Sequence, residues 1–129
     1  MRNIPQQTTR DFSKLVGVPY SEMNCWDIAV VFYKDVLNMD LGNIYSGPTP
    51  PRDVTKELIF TNMGGFEKVD SPQFGDIIIL KIFGIESHIS IYIGNGRMLH
   101  TSSSSGSVID FVSRWEKIIV GFYRVKRKE

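Results

Sequence analysis

Between Cys25 and Met39 the apolar residues fall at helical spacing. Cys25, Ala29, Phe32, Val36 and Met39 recur at alternating steps of four and three, which marks one face of a helix. Ile28, Val30, Val31, Tyr33 and Leu37 widen that face, while Asp27, Lys34 and Asn38 leave a thin polar side, so the helix is expected to be mostly buried. Asn24 is a favoured N-cap, and Asp27 can complete a short-armed capping box. Cys25 then becomes the first helical residue. Upstream, Phe12, Leu15 and Val16 predict a short helix over 10–16, closed by Gly17 and kept from continuing by Pro19. Downstream, Gly47-Pro48-Thr49-Pro50-Pro51 reads as a loop. Asp53 is positioned to cap a helix over 54–62, ended by Gly64-Gly65.

From Pro72 the pattern changes to strands. Phe74-Gly75-Asp76 turns into Ile77-Ile78-Ile79-Leu80-Lys81-Ile82-Phe83, and His88 to Ile93 alternates polar and apolar at every position. Further strands are predicted near 97–101, 107–111 and 118–125, with Ser113-Arg114-Trp115-Glu116 as a turn or short helical insert. Thr101 to Ser107 is serine-rich and reads as a mobile loop. Helices first and strands last predict an α+β fold with an antiparallel sheet.

Composition narrows this without redirecting it. At 129 residues the chain is one domain, 1–129, with no room for a second core. Apolar residues at 42% and charged residues at 22% match an ordinary globular protein and exclude disorder. The net charge is +1, and the basic run Arg124-Val125-Lys126-Arg127-Lys128 reads as a solubilising end, not a nucleic-acid surface. The first twenty residues lack the apolar core of a signal peptide, and no segment approaches the roughly 18 apolar residues of a membrane span. The sequence therefore predicts cytoplasmic synthesis and no membrane span.

The single cysteine excludes an internal disulfide and leaves a thiol to explain. In His88-Ile89-Ser90-Ile91-Tyr92-Ile93 one strand face goes to the core and the other presents His88, Ser90 and Tyr92. The length of the following turn decides where His100 points. A two-residue Asn95-Gly96 loop would set His100 opposite Ile91 on the apolar face. A three-residue loop with a bulge at Gly96 would pair Ile93 with Arg97 and set Ser90 opposite His100. The second choice avoids burying an imidazole among isoleucines. It leaves His88 diagonal to His100, with backbones roughly 7–8 Å apart.

A thiol at a helix N-terminus is favoured as the anion, and a nearby imidazole adds to this. Such a pair is the activated nucleophile of cysteine peptidases and acyltransferases. A second histidine would hold the first in the right tautomer, and the Cys25 backbone N–H would help stabilise an oxyanion. The bland readings are a core cysteine and ordinary polar strand residues. A zinc site of one Cys and two His is weakly supported, because CxxC and HxxxH pairs are absent.

From about Val18 to Val125 these residues resemble the NlpC-type family of papain-like cysteine peptidases, which cleave peptide bonds in bacterial cell-wall peptidoglycan. The most specific part is Gly75-Asp76 with the strand that follows, then the block from His88-Ile89-Ser90-Ile91-Tyr92-Ile93-Gly94-Asn95-Gly96 to His100-Thr101-Ser102. The resemblance implies a papain-like α+β fold, with N-terminal helices packed on a C-terminal antiparallel sheet. It makes Cys25 the nucleophile, His88 the general base and His100 the orienting residue, and it implies no cofactor. Val18-Pro19-Tyr20 resembles the "PY" whose tyrosine lies near the active site and assists the oxyanion. Asn24 stands where relatives carry the Asp that binds the free amine of a wall stem peptide. Ser90 stands where they often have Gly, and with Tyr20 and Asn24 it is a candidate for oxyanion or substrate binding. Asn24-Cys25-Trp26-Asp27 departs from the usual Asp-Cys-Ser-Gly, and no "WGG" follows Pro19-Tyr20. The Cys-Trp pair and short N-terminus are similar to versions found in phage tail-tip and tail-assembly proteins. Those versions imply tail-protein partners, virion-borne delivery to the wall, and in some cases a structural role with little or no hydrolysis. An amide or lipid acyltransferase of the same superfamily is a third class.

Overall fold

A computed structural model describes residues 11–41, 65–82 and 85–126. The predicted loop at 47–51 and helix over 54–62 lie outside these residues. The described chain forms a helix α1 (Cys25–Val36) and six strands: β1 (Phe66–Val69), β2 (Ile77–Ile82), β3 (Ile85–Gly94), β4 (Arg97–Ser102), β5 (Gly106–Phe111) and β6 (Ile119–Val125). Short 3-10 segments lie at Ser13–Leu15 and Val112–Ile118. All pairings are antiparallel, in the order β1-β6-β2-β3-β4-β5.

Helix α1 starts where its cap predicts. Asn24 Oδ1 accepts from the Asp27 N–H at 2.9 Å, and Asp27 Oδ2 accepts from the Asn24 N–H at 3.2 Å, a complete capping box. The helix stops at Val36, short of the Met39 that the apolar spacing suggested. Asn38 takes a left-handed conformation (φ 57°), and the Met39 N–H folds back onto the Tyr33 carbonyl at 2.8 Å. Asn tolerates that conformation, and the returned bond satisfies a carbonyl at the helix end. The helix predicted over 10–16 is only the 3-10 turn Ser13–Leu15, with Leu15 buried.

The main core lies between α1 and one sheet face. Trp26, Ile28, Ala29, Phe32, Tyr33 and Val36 pack with Phe66, Ile77, Ile79, Ile89, Ile91, Leu99 and Tyr123. Each large side chain removed from water here contributes about 1.5–3 kcal/mol before entropy is counted. The opposite face, expected to carry polar side chains outward, is also covered. Ile78, Leu80 and Met98 are fully buried there under Val112, Trp115, Ile118 and Phe122. A sheet buried on both sides explains the unbroken Ile77-Ile78-Ile79-Leu80 run.

The β3–β4 turn differs from the predicted one in its construction. Gly94 pairs with Arg97 across a two-residue Asn95-Gly96 turn, both residues having positive φ (54° and 73°). A bulge between Tyr92 and Gly94 then shifts the register, so Tyr92 faces Met98 and Ile91 faces Leu99. Gly94 itself has φ 93°. The bulge sits before the turn instead of at Gly96, yet His100 comes to the same face.

The serine-rich stretch is not a loop throughout. Thr101 and Ser107 pair with each other and are fully buried, leaving only 103–105 as the turn of a β4–β5 hairpin. Strand β1 had no sequence signal of its own: its four residues show no alternation of buried and exposed positions. The Gly75-Asp76 pair starts β2 by hydrogen bonding. The Gly75 N–H donates to the Tyr92 carbonyl, the Tyr92 N–H to the Asp76 carbonyl, and the Tyr33 hydroxyl to the Gly75 carbonyl. Asp76 is buried and receives the Arg124 guanidinium at 2.8–3.2 Å.

Candidate active site

Strand β3 begins and β4 ends at the same end of the sheet, because the two run antiparallel. His88 lies near the first of these ends, paired with Leu80, and His100 lies near the second, paired with Val108. Their rings meet edge to face, with centroids 5.9 Å apart and planes at 84°. The fold thus brings the two histidines together as the hairpin register predicts. Ser90 follows His88 on this face but is buried, its hydroxyl donating to Met98 Sδ at 3.2 Å.

Burial lowers His88, and the neighbouring His100 lowers it further, to about 4. His100 is also lowered by burial, with Asp110 acting in the opposite direction. His88 is therefore a neutral imidazole at neutral pH, able to accept a proton.

The segment before α1 arrives at this same end. The Gly17 N–H donates to the Ser107 carbonyl and the Ser107 N–H to the Val18 carbonyl, both at 2.9 Å. Tyr20 is exposed beyond Pro19 and, with Gly17, Ser21 and Ser103 to Gly106, lines an open cleft of about 480 Å³. From there the chain enters α1, placing half-buried Cys25 at the positive end of the helix and against the edge of the main core. The imidazoles lie on the sheet face away from α1. Asn24 is engaged through its side chain in the cap of α1.

The sequence reading missed Asp110 and Trp115. Asp110 Oδ2 stands 3.6 Å from His100 Nε2, and the Trp115 ring packs edge-on to His100 with centroids 5.2 Å apart. The available signal was register: Asp110 faces Met98, so it shares the face of His100. Among the described residues, no group of His, Cys, Asp and Glu is arranged to hold a metal ion.

A cysteine-headed helix packed on an antiparallel sheet that carries paired histidines is a papain-like α+β architecture. Residues 14–124 match the NlpC/P60 family, and the chain belongs to it. Among solved structures, it is similar to the NlpC/p60 domain of the peptidoglycan hydrolase SagA (TM-score 0.57, 16% identity, 98% of this chain and 100% of that one). It is also similar to a Staphylococcus aureus protein described as similar to lipoprotein, NLP/P60 family (TM-score 0.65, 18% identity, 99% of this chain and 43% of that one). A third is Ly7917 with the hydrolyzing product of MDP (TM-score 0.58, 12% identity, 95% of this chain and 63% of that one). At these identities the likeness concerns the fold. No curated protein matches the chain.

Proposed function

We propose that this protein is a peptidoglycan hydrolase, a cysteine peptidase or amidase acting on stem peptides through Cys25, His88 and His100. The observation that carries the reading is the edge-to-face pair of His88 and His100 at the sheet end from which the cysteine-headed helix departs. Family membership and the SagA hydrolase domain support the substrate class.

In this mechanism neutral His88 takes the Cys25 thiol proton, and the thiolate sulfur attacks an amide carbonyl carbon. The negative oxygen is stabilised by the Cys25 N–H at the helix N-terminus and by Tyr20. Collapse breaks the C–N bond, with His88 returning its proton to the leaving amine. Water, deprotonated by His88, then cleaves the thioester and releases a free acid. His100 keeps the His88 ring oriented. Asn24 fixes the start of α1 and offers an uncharged side chain toward the substrate. Ser90, small and buried, leaves space beside the base.

The test is digestion of purified peptidoglycan by wild type and Cys25→Ala, with released peptides read by mass. Peptides from wild type alone support the reading, and equal release by both variants overturns it. Adding an amine acceptor separates hydrolysis from acyl transfer.

A second reading, an assembly role in a phage tail with little hydrolysis, is favoured by Trp26. This large residue is buried directly after the cysteine, where the family has a small one. Co-purification with particles, and normal assembly by Cys25→Ala, would support it.

A further inference from the structure

We infer that Asp110 is a positioning residue of the active site, acting through His100. The inference rests on the reading of His88 and His100 as base and orienting partner. Asp110 rises from β5 on the face that bears His100, and the two side chains are 16% and 6% exposed. The separation of 3.6 Å between Oδ2 and His100 Nε2 is just beyond hydrogen-bond length, so a small closing movement completes the bond.

The carboxylate is already held by three other donors. The Phe111 N–H donates to Oδ1 at 2.8 Å, the Trp115 indole N–H to Oδ2 at 3.1 Å, and Arg114 Nη1 to Oδ1 at 3.3 Å. Trp115 has a double contact, since its ring also walls His100 at 5.2 Å. The 3-10 segment between β5 and β6 thus fixes the acid and encloses the histidine together. Burial pushes the Asp110 carboxyl up, but the Trp115 and Phe111 hydrogen bonds and the Arg114 charge outweigh it, and the group stays ionised.

An ionised carboxylate only accepts hydrogen bonds. The ring nitrogen facing it must then be the protonated one, which sets His100 in the Nε2–H tautomer. Nδ1 is left as the acceptor. Both nitrogens are buried, and neither makes a hydrogen bond among the described residues. Nδ1 is thereby available to an N–H of His88, the bond that would orient the base. Asp110 also places a negative charge behind the imidazolium that His88 becomes during acylation. A carboxylate that fixes a histidine tautomer has large kinetic leverage at constant geometry.

The test is Asp110→Asn, which keeps the shape, removes the charge and can present an N–H to His100. Peptide-release kinetics and the 15N shifts of the His100 ring are measured together. The expected result is a kcat lowered about tenfold or more with KM little changed, and loss of the Nε2–H signature. Partial recovery of kcat in Asp110→Glu is also expected. Wild-type kcat and an unchanged tautomer in Asp110→Asn would overturn the inference. If that variant does not fold, His100 in the wild-type protein decides: Nε2–H supports the role, and Nδ1–H removes it. Absence of hydrolysis by wild type would defeat the functional reading, while the tautomer still reports on Asp110.

Discussion

The Val18 N–H donates to the Ser107 hydroxyl at 2.7 Å, joining residues 89 positions apart in the chain. With the two backbone bonds beside it, this contact pins the Pro19-Tyr20 approach to α1 onto the β4–β5 hairpin that carries His100. The helix-borne and strand-borne halves of the candidate site are thus tied together away from the thiol itself.

Gly106 sits inside this clamp. It has φ 71°, and a Cβ there would lie 2.7 Å from the Val18 carbonyl oxygen, a backbone atom with little room to move. Gly106→Ala is expected to cost about 1–3 kcal/mol. Thermal unfolding reads the loss. A hydrolysis rate lower than the remaining folded fraction explains would show that the clamp positions Tyr20 and α1.

The capping box makes a quantitative prediction at the other side of the thiol. Asn24→Ala removes the acceptor for the Asp27 N–H and should cost about 1 kcal/mol, or a Tm lower by about 3–5 °C. Asn24→Ser, which can still cap, should lose much less. Equal losses in the two variants would count against capping as the role of this side chain.

Acid should destabilise the protein through its histidines. His88 titrates near 4 in the folded protein against an ordinary 6.5, first because it is buried and then because His100 is adjacent. Between those values the unfolded chain binds a proton that the folded protein does not. Stability therefore rises with pH across that window and is lost as pH falls through it. His100, also lowered, acts in the same direction. Urea unfolding midpoints should drop from neutral pH toward pH 4, and His88→Gln should flatten the slope.

Asp76 and Arg124 form a close ion pair, Nη2 to Oδ2 at 2.8 Å. The carboxylate is buried, also accepts from the Gln73 N–H at 2.7 Å, and holds Arg124 through both Nε and Nη2. Arg124→Met leaves that carboxylate without its cation and should cost about 3 kcal/mol. Asp76→Asn with Arg124→Met should recover part of the loss, measured as a double-mutant cycle.

Local signals predicted a large part of this molecule. The spacing from Cys25 to Val36, the Asn24–Asp27 cap and the alternation from His88 to Ile93 each depend on neighbouring residues, so they survive without tertiary context. They were enough to set α1, the succession of strands from β2 to β6, the family resemblance and the meeting of His88 with His100. The β3–β4 turn shows the boundary of such reasoning. The face of His100 follows from avoiding an imidazole among isoleucines, but a bulge before the turn and a bulge inside it satisfy that demand equally, and only the pairing of Gly94 with Arg97 separates them.

What the folded chain alone decided are the contacts between distant segments. Strand β1 exists because β6 offers it an edge, the serine-rich stretch becomes paired strand because Val18 and β5 close around it, and the second sheet face is dry because the 3-10 segment covers it. Asp110 and Trp115 gain their place beside His100 in the same way. Their chemistry comes from packing across the sheet, whereas the cap, the helix period and the strand alternation are written in residues close together along the backbone.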